Sequence, residues 1–240
     1  MAMPKKLFEM LLVRHAQSRG NAGMQGSTVR ERQDPDLSDN GLVQAQLLAD
    51  RVQCYPLDAL FSSGLERAIH TAAVVAKMQP ENGARTVEVL PLLTECNTLE
   101  NYTGRTMDAI KAAYPCAVFA KDTCSSDTVL PNDETVDEQY NIERACDALA
   151  YFKNRFRNGE RVMVVAHGIF NTVFLMQALG ISEPIFDPDF QNTSITRLSF
   201  YEKGTGPWGF DVQLHCLNDC SHLFGSFPQI RFEYKGDTRI

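Results

Sequence analysis

Arg14-His15 closes the apolar run Leu11-Leu12-Val13, setting an imidazole that can act as a nucleophile beside a permanent positive charge. His167 repeats the setting at the end of the apolar run 162–166, with Gly168 after it. Both runs read as buried strands, so both histidines fall where a strand meets the surface. A second guanidinium follows Ser63-Gly64-Leu65-Glu66, whose spacing is that of a helix capping box with Ser63 as cap and Glu66 reaching back. Arg67 then falls in the second turn, beside the small or apolar Gly64, Ala68 and Thr71. An arginine near a helix N-terminus favours an anion. Each residue alone has a plainer reading: a salt bridge for Arg14, a strand end for His15, a solvated side chain for Arg67, a satisfied core histidine for His167. Together they point to chemistry on an anion.

If that anion is a phosphoryl group, His15 attacks phosphorus through an unprotonated ring nitrogen, and a hydrogen bond to the other nitrogen must hold the tautomer. A backbone carbonyl in the following loop is the expected partner. Arg14 would pair with the phosphoryl oxygens, and His167 would donate to a non-bridging oxygen as charge develops. The departing oxygen needs a proton. Glu95, after a strand expected at 86–90, is the first candidate donor, and Glu100 in the same loop competes with it. The carboxylate left behind would activate water, giving two steps through a phosphohistidine. In the polar loop 16–34, Asn21 can reach a phosphoryl oxygen; an ordinary surface loop accounts for Ser18, Arg19 and Arg32.

The elements that must position these groups alternate. Strands are expected at 7–13, 57–61, 86–90 and 161–166, with later strands at 194–201 and 208–216. Helices are expected after Ser38 (apolar positions Leu42, Ala45, Ala49, Val52), after Ser63 (Ala68, Ile69, Ala72, Val75, Ala76), before Pro115, over 134–156 (Val136, Tyr140, Leu149, Phe152, Phe156), and over 169–179 up to Gly180. Such alternation predicts an α/β sheet covered on both faces, with ligands at the carboxyl ends of its strands. No internal repeat or linker divides the chain, so a single domain is expected over 1–240. An excursion over the site is expected at about 91–133, within which 116–133 carries no long periodic pattern, and a less ordered tail from about 223.

Twenty-three basic residues against thirty acidic give a net charge of −7, which argues against a nucleic-acid surface built on bulk charge. A focused anion pocket needs only a few arginines. Seven scattered cysteines, an odd number, fit a reducing compartment better than a disulfide framework. No run is long and apolar enough to span a bilayer, and the start lacks an apolar leader core before Glu9, so the cytoplasm is the expected location. Cys216, Cys220 and His222 are too few and too irregularly spaced to argue for a metal site.

The assembled pattern resembles the histidine phosphatase superfamily, the phosphoglycerate mutase-like family. The resemblance rests on Val13-Arg14-His15-Ala16-Gln17-Ser18 with Asn21, on Asp36-Leu37-Ser38-Asp39-Asn40-Gly41, on Ser62-Ser63-Gly64-Leu65-Glu66-Arg67-Ala68, on Leu93-Thr94-Glu95, and on Val165-Ala166-His167-Gly168. It is colinear over about 9–201. It implies a three-layer α/β/α sandwich with a mostly parallel central sheet, a phosphorylated nucleophile at His15, a phosphate pocket of Arg14, Arg67 and His167 joined by Asn21, and a proton donor at Glu95. It implies neither metal nor other cofactor, and a small phosphorylated substrate or a phosphoprotein as the partner. Ala16-Gln17 stands where the family often has Gly-Glu. Thr98-Leu99-Glu100-Asn101-Tyr102-Thr103 departs from the family's mutase segment, and Lys121 is the sole basic residue of 116–133. A phosphatase is therefore expected, with a mutase-like phosphotransferase and a non-catalytic phosphate-binding module as the alternatives. Asn192-Thr193-Ser194-Ile195 is expected to return a polar turn to the site, and 217–223 resembles a late segment of some phosphatases without a derivable role.

Overall fold

The structure is a computed structural model that describes residues 4–96, 104–120, 138–183 and 185–224. Among the described residues seven strands form one sheet: β1 (Lys6–Arg14), β2 (Ala59–Ser62), β3 (Val87–Val89), β4 (Ala117–Phe119), β5 (Glu160–Ala166), β6 (Ile195–Tyr201) and β7 (Val212–Asp219). Their spatial order is β4-β3-β2-β5-β1-β6-β7. The pairs from β4 through to β1 are parallel, and β6 and β7 add on antiparallel.

The central strands are largely apolar because both of their faces are covered, with Glu9 of β1 a buried exception that Arg197 pairs. Phe8, Met10 and Leu12 of β1, Phe61 of β2 and Val162 and Val164 of β5 pack with residues of α5 (Glu138–Arg155) and α6 (Gly168–Leu179). Leu11 and Val13, Leu60, and Met163 and Val165 point the other way, onto α2 (Asp39–Val52) and α3 (Glu66–Met78). Two helical layers thus enclose a mostly parallel sheet. The remaining helices are short: α1 (Val29–Gln33), α4 (Met107–Ala113) and α7 (Ser221–Phe224).

Most expected elements appear within a few residues of their expected bounds. Ser38 caps α2 by accepting the Gly41 N–H, and α6 stops at Gly180, whose φ of 69° suits a residue without a Cβ. Some elements differ from expectation. The Ser63 hydroxyl accepts the Leu65 N–H, so α3 begins at Glu66 behind Leu65, and Arg67 lies in its first turn rather than its second. Asp34, distant in sequence, accepts the Glu66 N–H in place of a local cap. In the expected excursion, Ala117–Phe119 is an edge strand of the sheet, too short for a periodic signal to show, while 121–137 lie outside the described residues. The inner face of α5 is Asn141, Arg144, Ala145, Ala148 and Phe152, with Tyr140 and Leu149 only partly covered and Val136 outside the described residues. Leu42 faces solvent, and Leu48 takes its expected place in the core.

Candidate active site

Three neighbouring strands end side by side at the carboxyl edge of the sheet. Arg14 of β1 lies opposite Ala166 of β5, and Val165 lies opposite Ser62 of β2. The ladder continues one residue past each end: His15 N–H donates to the Ala166 carbonyl and Ser63 N–H to the Val165 carbonyl. Backbone pairing therefore fixes where His15, Ser63 and His167 leave the sheet. The two imidazoles come within 5.1 Å, centroid to centroid.

The His15 ring lies 2.7 Å through Nδ1 from the Ala16 carbonyl. A carbonyl only accepts, so Nδ1 carries the proton and Nε2 is left with its lone pair. That lone pair accepts a hydrogen bond from Arg67 Nε at 3.2 Å. Burial, then the charges of Arg67 and Arg14, push the His15 pKa well below the usual 6.5, so the ring is neutral at neutral pH. His167 is buried and depressed likewise, by desolvation first and then by Arg67, His15 and Arg14. Its Nε2 lies 2.7 Å from Ser63 Oγ. That oxygen accepts the Leu65 N–H and can give its own proton to Nε2; in that tautomer Nδ1 is the ring donor. Among the described residues, Nδ1 is buried without a partner, and so is Arg14 Nε. A desolvated donor without a partner is costly, and an anion in the pocket would satisfy both.

Arg14 donates through Nη1 to the Phe190 carbonyl. Arg67 stands near Asp34 (4.0 Å), and burial lowers its pKa despite that neighbour. The loop around His15 is tied down by residues from other elements. Thr71 Oγ1 accepts the Ala16 N–H, Gln44 Oε1 accepts the Gln17 N–H, and a Cβ on Gly41 would lie 2.0 Å from the Gln17 carbonyl oxygen. Only glycine fits there.

Glu95 reaches the same edge from the loop after β3. Its carboxylate accepts the N–H groups of Phe170 (2.9 Å) and Ile169 (3.4 Å) at the N-terminus of α6, directly after His167-Gly168. Arg14, Arg67 and Arg144 all feel its charge. The loop is anchored by Arg144 of α5, which donates to the Leu92 and Thr94 carbonyls and lies over the Phe170 ring. Glu100 lies outside the described residues. Asn21 sits at the exposed rim, its Oδ1 accepting the Ser18 N–H and, at 3.4 Å, the Asn192 side-chain amide. The expected polar turn does return: Asn192 donates to the His15 carbonyl and the Thr193 N–H to the Arg14 carbonyl.

All six expected site residues thus lie at one edge of the sheet. Sequence reasoning missed Ser63 as partner of His167, Asp34 as support for Arg67, and Arg144 as anchor of the Glu95 loop. Ser63 carries a signal, its place just past a strand, but its spacing to Glu66 is equally that of a helix cap. Asp34 and Arg144 carried none, because their partners are far away in sequence.

Comparison with known proteins bears on the fold and the family. A curated relative, phosphoserine phosphatase 1 of Hydrogenobacter thermophilus, is 40% identical over 73 residues, 30% of this chain and 32% of that protein; the similarity thus spans about a third of the relative. The fold is shared with a phosphoserine phosphatase mutant of Entamoeba histolytica crystallised with phosphoserine (TM-score 0.58, 23% identity, 90% of this chain and 99% of that one). It is shared also with phosphoglycerate mutase of Bacillus anthracis (TM-score 0.60, 19% identity, 92% and 96%). A mycobacterial glucosyl-3-phosphoglycerate phosphatase with bound VO3 has the same fold (TM-score 0.56, 22% identity, 88% and 99%). Among the described residues no helix is long and apolar enough to cross a membrane. The profile of the histidine phosphatase superfamily (branch 1) matches residues 10–208, and the chain belongs to that superfamily.

Proposed function

We propose that the chain is a phosphomonoester hydrolase, one domain over its length, that works through a phosphohistidine on His15 and requires no metal. The observation that carries this reading is the fixed tautomer of His15: Nδ1 is committed to the Ala16 carbonyl, and the Nε2 lone pair is met by Arg67. On substrate binding, Arg67 would turn from Nε2 to the phosphoryl oxygens, with Arg14 and His167 Nδ1 donating beside it and Asn21 closing the rim. Nε2 then forms a bond to phosphorus as the bond to the leaving oxygen breaks. Glu95, protonated, gives its proton to that oxygen. Its carboxylate next takes a proton from water, whose oxygen attacks phosphorus, and the P–N bond breaks to release phosphate and neutral His15. Arg14, Arg67 and His167 supply the charge stabilisation that a metal would otherwise provide.

A small phosphorylated substrate is the favoured class, and the partial likeness to a phosphoserine phosphatase makes phosphoserine the first compound to assay. A phosphoprotein belongs in the same panel. The test is His15→Ala, which should cut turnover by at least about 10⁴-fold without unfolding the protein, alongside trapping of acid-labile phosphate on His15 in the wild type. Normal turnover by the variant would sink the nucleophile. Isomerisation of a phosphoglycerate without phosphate release would favour the mutase reading. Tight orthophosphate binding with no labelled His15 on any substrate would favour a binding module.

A further inference from the structure

β7 and α7 lie beyond the stretch that matches the superfamily, and the chemistry proposed above uses none of their residues. They nonetheless hold the turn 188–193, which touches both Arg14 and His15. Asn218, near the end of β7, donates through its side-chain amide to the Pro188 carbonyl (2.9 Å) and the Asp189 carbonyl (3.0 Å). Its Oδ1 accepts the Gln191 N–H at 2.9 Å, and its own N–H donates to Thr196 Oγ1. One amide therefore satisfies three backbone groups of a single turn. Within that turn the Phe190 carbonyl accepts Arg14 Nη1, and the charge of Asp189 is felt by Arg14.

The turn is strained. Asp189 has φ 42° and Thr193 φ 60°, and Asn218 itself has φ 55°. Residues other than glycine stay in the left-handed region only where their surroundings over-determine them. Asn218 supplies that at one end of the turn. At the other, His222 of α7 meets Thr193 Oγ1 at 3.1 Å, and the Thr193 N–H holds the Arg14 carbonyl. The side chain of Phe190 is buried, so its carbonyl has a fixed direction. Because Nη1 is held there, the direction of the Arg14 fork into the pocket, including its unpartnered Nε, depends on where the turn sits.

We propose that Asn218 is a positioning residue for phosphate binding: it clamps the turn 188–191 and, through the Phe190 carbonyl, aims the Arg14 guanidinium at the phosphoryl group. The proposal rests on the reading of Arg14 as a phosphate ligand. The alternative is a role confined to pinning β7 to the preceding loop.

The test is a double-mutant cycle read by orthophosphate and vanadate affinity on the full chain. N218G keeps the left-handed backbone, since glycine adopts it freely, and removes only the clamp. N218D keeps size and backbone tolerance but sets an anionic oxygen against two carbonyls, and it supplies the same comparison if N218G melts early. Arg14→Ala first tests the underlying reading: unchanged anion affinity would sink Arg14 as a ligand. Given a loss there, either Asn218 variant in the wild-type background should weaken both anions by about tenfold, and in the Arg14→Ala background by less than about twofold. An equal loss in both backgrounds assigns Asn218 a merely structural role, and no loss in the wild-type background overturns the clamp.

Discussion

The two halves of the site are built differently. The half that would hold the phosphoryl group in the proposed reaction is carried mainly by strand ends: His15 and Ser63 continue the backbone ladder of β1 and β2 onto β5, and His167 directly follows β5. The half that would face the leaving group in that proposal is carried by loops. Glu95 sits past a three-residue strand and a turn of 3₁₀ helix, is aimed by the N–H groups of α6, and is anchored by a guanidinium from α5. A strand end cannot shift without breaking a sheet, whereas a loop moves when one anchor is lost. The first half suits a group common to every substrate, and the second suits whatever the phosphate is attached to.

That contrast is broken most severely by comparing Arg67→Ala with Glu95→Gln on two phosphate monoesters, one releasing an alkoxide and one releasing p-nitrophenolate. In the proposed reaction Arg67 meets the transferring group whatever it leaves, so its loss should lower kcat/KM by about 10³-fold on both. A proton donor matters only to a poor leaving group. Glu95→Gln should cost about 10²-fold on the alkyl ester and much less on the aryl ester. Equal losses from Glu95→Gln on both esters would remove it as the acid and turn attention to Glu100.

The same contrast explains what the sequence disclosed. Arg14, His15 and His167 were legible because an apolar run ending in a polar residue marks a strand end locally. Helices α2, α3 and α6 were legible from apolar spacing and their stops. Arg67 was placed on the right helix but a turn too late, since whether Ser63 caps or serves His167 depends on a residue about a hundred positions on. Strand β4 was missed because three residues carry no period. Arg144 carries no local signal: it lies on the inner face of α5, where pattern reasoning expects apolar side chains, and its partners are the carbonyls of Leu92 and Thr94. Loops are held by long-range contacts, and no local pattern records them.

Arg144 also offers a smaller, sharper test of the comparison. Arg144→Met keeps the length and the packing over Phe170 but removes the donors to the acid loop. It should lower kcat/KM by about tenfold on the alkyl ester, leave kcat/KM on the aryl ester nearly unchanged, and leave orthophosphate affinity at the wild-type value. A matching loss on both esters would mean that the loop also shapes the phosphate half, and the division drawn here would fail.

The smallest effect is on stability, and it too separates the halves. His15 and His167 are held neutral by burial and by the nearby arginines, so their folded pKa values lie below those of the unfolded chain. His222, buried beside the same turn, is lowered to about 4. Below about pH 6.5 the unfolded chain takes up protons that the folded one refuses, so the stability these groups contribute is complete above that pH and drains away as pH falls towards the folded values. Each histidine held fully neutral contributes a slope of at most about 1.4 kcal/mol per pH unit. Glu9 adds nothing in this window: burial alone would raise its pKa, but Arg197 and Tyr55 hold it down at about 2, so it stays ionised. The melting temperature of the ligand-free protein should therefore fall between pH 6.5 and 5, and the fall should be shallower in His167→Asn, which has one fewer refused proton. In the wild type, the His15 ring resonances should show no inflection near pH 6.5. An inflection there, or an unaltered pH slope in the variant, would mean that the strand-end pocket admits a charged imidazole, and the neutral nucleophile would have to be given up.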